Sequence, residues 1–178
     1  MMDDNVIVVI PNADNQSLGV LRFRGRDYEC TLGKGGVVPA TEKKEGDGAS
    51  PAGVWPLRCV YYRQDKVDKP QTALDIIQIN AQDGWCDAPD HPDYNMYVTL
   101  PHEASCEELC RKDDVYDVIV PLGYNDDPPV AGKGSAIFMH VMRPEKTPTE
   151  GCVALTLQDL YAVLEKCDSQ TRLSIQFQ

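Results

Sequence analysis

The sequence predicts a mainly β fold with a few short helices, organised as a single domain over residues 1–178. Three observations carry this. Short runs rich in Val, Ile, Tyr and Phe recur between clusters of Gly, Pro, Asn and Asp. Only the segment after Thr156 sustains a helical spacing of apolar residues. A chain of 178 residues, 42% of them hydrophobic, suffices for one core.

Taken in order, NVIVVI at residues 5–10 reads as a buried strand, and residues 18–33 alternate around a glycine turn at Gly25, the pattern of a hairpin. Residues 33–53 are dense in glycine and proline and read as one long structured loop, of the kind that often carries function. β character resumes at 54–63. The acidic, proline-bearing middle, 64–102, holds two short strand candidates at 75–79 and 96–100. Ser105 and Glu108 form a capping-box pattern that predicts a short helix starting near Cys106. Residues 116–125 and 135–142 read as core strands joined by the loop DDPPVAGKG. Thr156 caps a helix whose Leu157, Leu160, Tyr161 and Leu164 form an apolar stripe, and TRLSIQF closes the chain as an alternating strand.

The formal net charge of −11 argues against binding to nucleic acid or to an anionic membrane surface, both of which need a basic face. No apolar run is long enough to span a bilayer. Asp3 and Asp4 stand where a secretory leader carries positive charge, and the apolar run at 6–10 is too short for its core, so a cytoplasmic location is expected; a chain trimmed of its leader would instead be periplasmic. The seven cysteines are odd in number, with no C-x-x-C pair, and are expected as free thiols in a reducing compartment. Six of them read as small buried hydrophobes. Cys106 and Cys110 would share a helix face, but two thiols without a matching His or second Cys pair make no zinc site. Neither a metal nor a cofactor is expected.

Chemistry is expected at PTEGCVAL, residues 148–155, where a cysteine follows a glycine at the end of a turn-forming run. His140 lies twelve residues upstream, inside the apolar strand AIFMHVM. A strand, the loop VMRPEKTPTE and a return into a second strand would bring Cys152 back beside His140, within hydrogen-bond reach. An imidazole there activates the thiol and shuttles its proton. Gly151 would let substrate backbone approach, and amides around Cys152 would receive an oxyanion.

The segment IFMHVMRPEKTPTEGCVALTLQDL resembles the active-site segment of the L,D-transpeptidase catalytic domain, the YkuD or ErfK/YbiS/YcfS/YnhG family. His140 matches that family's base, Thr149 its Ser/Thr, Gly151 its glycine and Cys152 its nucleophile. GKGGV…EGDGASPAGVWPL is similar to the family's Gly-Lys…Thr-Pro-x-Gly segment. The acidic middle has no counterpart. Glu150 stands where the family usually has histidine, and Ala154 where it usually has arginine, a loss that Arg143 on the same rim would make good.

The resemblance implies a β-sandwich-like catalytic domain with its Cys/His site in a cleft. It implies a peptidoglycan tetrapeptide or muropeptide as partner, cut between diaminopimelate and D-alanine through a thioester on Cys152. Tyr124, Asn125 and Ser135 would line the donor pocket with Arg143 and Thr149. With water as acceptor, the favoured reading, the product is a tripeptide (L,D-carboxypeptidase, murein recycling); with an amine it is a cross-link (L,D-transpeptidase). A non-catalytic peptide-binding module is the alternative of another class.

Overall fold

The computed structural model describes residues 4–178; Asp3, half of the acidic pair at the start of the chain, lies outside the described residues. Strand β1 (Val6–Pro11) buries Ile7 and Val9 and leaves Val6, Val8 and Ile10 partly buried, as its alternation demands. It pairs antiparallel with β2 (Leu18–Phe23), which runs through Arg24 and Gly25 into β3 (Arg26–Thr31). Both turn residues have positive φ, 45° and 76°, and Phe23 faces Arg26, so the connection is a two-residue hairpin of the kind that matches strand twist.

The predicted loop at 33–53 contains more order than its composition suggests. Its β4 (Val37–Pro39) pairs parallel with the start of β5 (Ser50–Pro56). Prolines are tolerated because β4 lies at the edge of the sheet. Strands β6 (Val60–Tyr62) and β7 (Ile76–Gln78) form the other edge. Next in the chain come β8 (Asp83–Cys86), β9 (Tyr97–Thr99) and β10 (Cys106–Glu108), a separate three-stranded sheet in the order β10-β8-β9. The helix expected at Cys106 is absent. Cys106, Glu107 and Glu108 pair with Cys86, Trp85 and Gly84, and Leu109 is buried directly after them. Cross-strand pairing and burial of Leu109 override a capping pattern too short to sustain a helix.

Strands β11 (Val118–Pro121), β12 (Phe138–Val141) and β13 (Val153–Leu155) lead to the one helix among the described residues, α1 (Leu157–Leu164), and to β14 (Arg172–Ile175). Thr156 caps α1 by accepting from the Asp159 amide at 3.2 Å. Eleven strands form one continuous sheet in the order β4-β5-β14-β1-β2-β3-β13-β12-β11-β6-β7. It folds over itself: Val37 and Ala52 from one end and Tyr62 and Ile76 from the other pack in the same apolar core, with Leu160, Val163 and Leu164 of α1.

Strands β11 and β12 are buried on both faces. Val118, Val120, Met139 and Val141 point into the main core, while Ile119, Phe138 and His140 point to the opposite face. There a second apolar cluster, with Trp85, Leu109, Val115 and Tyr116, is supplied by the segment that runs through β8, β9 and β10 to Tyr116. That lobe roofs the face on which His140 stands.

Candidate active site

Strands β12 and β13 run parallel, with His140 opposite Ala154. Cys152 precedes β13 and faces the same side as His140, and both line a cavity of about 600 Å³ between the sheet and the roof. Each is 6% exposed. The expected Cys152–His140 hydrogen bond is not made. The sulfur donates to the Ala136 carbonyl at 3.3 Å and accepts from the Phe138 amide at 3.4 Å. The imidazole is fixed from its other side, because Nδ1 lies 2.9 Å from the Val141 carbonyl, which only accepts. Nδ1 therefore carries the proton and Nε2 the lone pair, which is the form a base requires.

Burial sets the charge state of both. It pushes the Cys152 thiol up to about 12 and the His140 imidazole down to about 4, the latter helped by the nearby guanidiniums of Arg111 and Arg143. At rest the pair is a neutral thiol beside a neutral base. Tyr116 stands edge-on to the imidazole, its hydroxyl donating to Glu107, and the Arg111 guanidinium covers its ring at 5.1 Å. Burial raises the Glu107 carboxyl.

Gly151 has φ of +129°, and a Cβ there would lie 2.6 Å from the Ala49 carbonyl oxygen. The glycine is thus required by the close passage of the 33–53 segment rather than by an approaching substrate. Thr149 lines the cavity, but its hydroxyl is committed: it donates to the Cys152 carbonyl at 2.7 Å and accepts from the Gly151 amide at 3.1 Å. Its backbone bonds Leu32 and Lys34, tying the loop before Cys152 to the end of β3. Glu150 is exposed and pairs with Lys34 at 2.8 Å.

Of the other expected pocket residues, Arg143 and Ser135 line the cavity, whereas Tyr124 and Asn125 do not. The Tyr124 ring packs against Trp55 and its hydroxyl donates to the Lys133 carbonyl. Asn125 bridges the Val130 and Gly134 carbonyls and accepts from the Val130 amide, so it builds the 126–134 turn.

Sequence reasoning missed several groups in the lining. Arg111 makes a bidentate pair with Asp113, which Arg143 also contacts at 3.2 Å. Lys43 is buried on Asp47, and Glu45 accepts from Ser135 and Tyr94. Thr31 is fully buried and its hydroxyl has no hydrogen-bond partner among the described residues. Arg111 was hidden by the helix reading of its segment, and Thr31 reads in sequence only as a strand residue. This arrangement brings together a thiol, an imidazole protonated on Nδ1, guanidiniums at the rim and a hydroxyl without a partner among the described residues.

No curated protein matches the chain. A crystal structure of Mycobacterium tuberculosis L,D-transpeptidase 1 aligns with a TM-score of 0.42 at 8% identity, covering 98% of this chain. This chain spans 60% of that one's length. The family model for the YkuD L,D-transpeptidase catalytic domain matches residues 5–175. Nearly the whole sequence is thus accounted for by one family model, and the chain belongs to the YkuD family of L,D-transpeptidase catalytic domains.

Proposed function

We propose that the chain is a cysteine acyltransferase acting on peptidoglycan stem tetrapeptides, cleaving the bond between diaminopimelate and D-alanine with water as the favoured acceptor. The observation that carries this reading is the meeting of Cys152 and His140 in one cavity of a YkuD domain. As the substrate carbonyl approaches, the Sγ–C bond forms while the thiol proton passes to Nε2 of His140. The Gly151 N–H is held by Thr149, so the amide of Cys152 itself receives the oxyanion. Collapse breaks the C–N bond, and the imidazolium gives its proton to the departing D-alanine amine. Water then attacks the thioester with His140 as base, the C–S bond breaks, and the tripeptide carboxylate leaves as the thiol regains its proton.

Arg111 and Arg143 supply the cationic rim that Ala154 does not, and suit the terminal carboxylate of the donor. Thr31 offers its unpaired hydroxyl to the stem peptide. A cavity of this volume suits one small peptide, which supports hydrolysis and goes with a cytoplasmic role in murein recycling. Glu45, Glu107 and Glu150 in the lining favour a second reading, because carboxylates suit a cationic amine acceptor and hence cross-linking.

Mass spectrometry of the protein mixed with a disaccharide tetrapeptide, with Cys152→Ala in parallel, tests this. Tripeptide in the wild type alone is the expected result, and a cross-linked dimer would select the transpeptidase. Neither product and no adduct on Cys152 would leave a non-catalytic peptide-binding module.

A further inference from the structure

The roof lobe gathers four soft donors that are dispersed along the chain. Sγ of Cys86 and ring nitrogens of His91 and His102 lie within 4.8 Å of one another. Cys106 stands directly opposite Cys86 in the β8–β10 ladder, its thiol donating to the Ala104 carbonyl at 3.4 Å. The two imidazoles meet edge to face with centroids 4.8 Å apart. They are also held in the same sense. Nδ1 of His91 accepts from the Asp93 amide and Nδ1 of His102 from the Ala104 amide, each at 3.1 Å. Each Nε2 therefore carries a proton, and donates it to Glu103 at 2.9 Å or to Asp93 at 3.0 Å. A carboxylate on the far N–H is the support that fixes tautomer and ring orientation in metal-bound histidines.

We propose that Cys86, His91, His102 and Cys106 form a Cys2His2 zinc site. The spacing is Cys86-x4-His91 and His102-x3-Cys106, with ten residues between the pairs. It is not legible as a zinc motif, because each pair combines one thiol with one imidazole and the strand pairing alone brings the halves together. Thiolate and imidazole donors select zinc over magnesium or calcium. With bonds of about 2.0–2.3 Å, tetrahedral donors lie roughly 3.5 Å apart, so the cluster contracts by roughly 1 Å on binding. The two backbone amides release Nδ1, Cys106 turns toward the cluster, and both thiols give up their protons: one zinc enters and two protons leave.

The strands of this lobe have only four, three and three residues, short for a sheet that must stand apart from the main one. The site would staple β8 to both turns that flank β9. Those turns matter to the cavity. Asn95 bonds the Tyr124 and Asn125 carbonyls and the Ala136 amide, Tyr94 donates to Glu45, and Trp85 packs edge-on to Phe138. Zinc would thereby hold the roof over Cys152 and His140.

The test is metal content of the full chain, purified under reducing conditions without chelator, and it does not depend on any activity. About one zinc per chain is expected, with a thiolate-to-metal charge-transfer band after exchange for cobalt. Cys86→Ala, His91→Gln and His102→Gln are each expected to lower zinc content at least about tenfold, and Cys110→Ala, in the same lobe but outside the cluster, to leave it unchanged. His102→Cys is expected to retain zinc, which a merely structural imidazole would not explain. Because His91 and His102 are partly exposed, their variants keep the test open if Cys86→Ala fails to fold. Wild-type protein that takes up no zinc from an equimolar solution would overturn the proposal. So would a peptide map showing Cys86 and Cys106 joined as a disulfide in that reduced protein.

Discussion

The hydroxyl of Thr149 donates to the carbonyl of Cys152 at 2.7 Å across the turn that leads into that cysteine. It also accepts from the Gly151 amide, so one side chain holds the peptide groups on either side of the Gly151–Cys152 pair. Thr149→Val keeps the volume and leaves two buried backbone groups unpaired. A stability loss of about 1–3 kcal/mol is expected in urea unfolding, together with a fall in kcat larger than any change in KM. Thr149→Ser should restore both. If valine is as good as serine, the hydroxyl does not position the thiol.

Gly151 raises a harder constraint. A side chain there has to adopt φ near +129° and push its Cβ within 2.6 Å of a carbonyl oxygen on the neighbouring segment. Gly151→Ala is expected to cost about 1–3 kcal/mol from the backbone conformation alone, and more if the Ala49 segment cannot yield. A lowered unfolding temperature is the readout. Unchanged stability would mean that the 33–53 segment moves freely, which its pairing in β4 and β5 argues against.

The meeting of Cys152 and His140 in one cavity was more legible than the walls around them. Cys152 and His140 were marked by local signals, a glycine and turn formers before one and an apolar strand around the other, and the parallel β12–β13 pairing brings them to one cavity. The hairpin at Gly25 and the helix after Thr156 were legible for the same reason, since their signals are local. The roof was not. Cys106 carries a helix-start pattern yet pairs with Cys86, and Arg111 reaches the cavity only because that pairing turns the chain. Three of the six cysteines read as buried, Cys59, Cys106 and Cys110, are only partly so. Tyr124 and Asn125, adjacent to a core strand, were drawn away by Trp55 and by the turn that Asn125 organises. Such contacts depend on distant segments, and no spacing rule encodes them.

Thr31 gives a prediction whose stability and binding effects have opposite signs. Its buried hydroxyl has no partner among the described residues, so Thr31→Val removes an unsatisfied polar group at constant shape. Stability should be unchanged or slightly higher. If the hydroxyl serves the stem peptide, KM rises by roughly fivefold to tenfold, the worth of about one neutral hydrogen bond. A marked loss of stability would mean that the hydroxyl is satisfied in the free protein and has no ligand to await.

Cys152 should be slow to alkylate in the free protein. Its thiol is pushed up to about 12, above the ordinary value for a cysteine, and it is 6% exposed. Iodoacetamide labelling, followed by peptide mapping, should show a rate rising about tenfold per pH unit through neutral and mildly alkaline pH, with no plateau. A plateau near neutrality would reveal a thiolate–imidazolium pair already formed at rest, and with it a different first step of the reaction.

His140 ties the site to the pH dependence of stability. Its folded value is about 4, below the ordinary 6.5, because burial disfavours the imidazolium and Arg111 and Arg143 repel it, against opposing pulls from the Val141 carbonyl and, more weakly, Asp113. Between those values the unfolded chain binds the proton and the folded chain does not, so stability present above pH 6.5 is lost as pH falls toward 4, by up to about 3 kcal/mol. Glu107, raised by burial, acts in the opposite direction at the acid end, favouring the folded state where carboxyls are protonated. Urea unfolding of wild type and His140→Gln across pH 4–7 separates the two, since the Glu107 contribution is common to both proteins. The wild-type curve should fall more steeply below pH 6.5, whatever the offset between the proteins. Parallel curves would mean that the imidazole titrates normally in the folded state. It would then already be part-protonated near pH 6.5, and poorly placed to take the proton of Cys152.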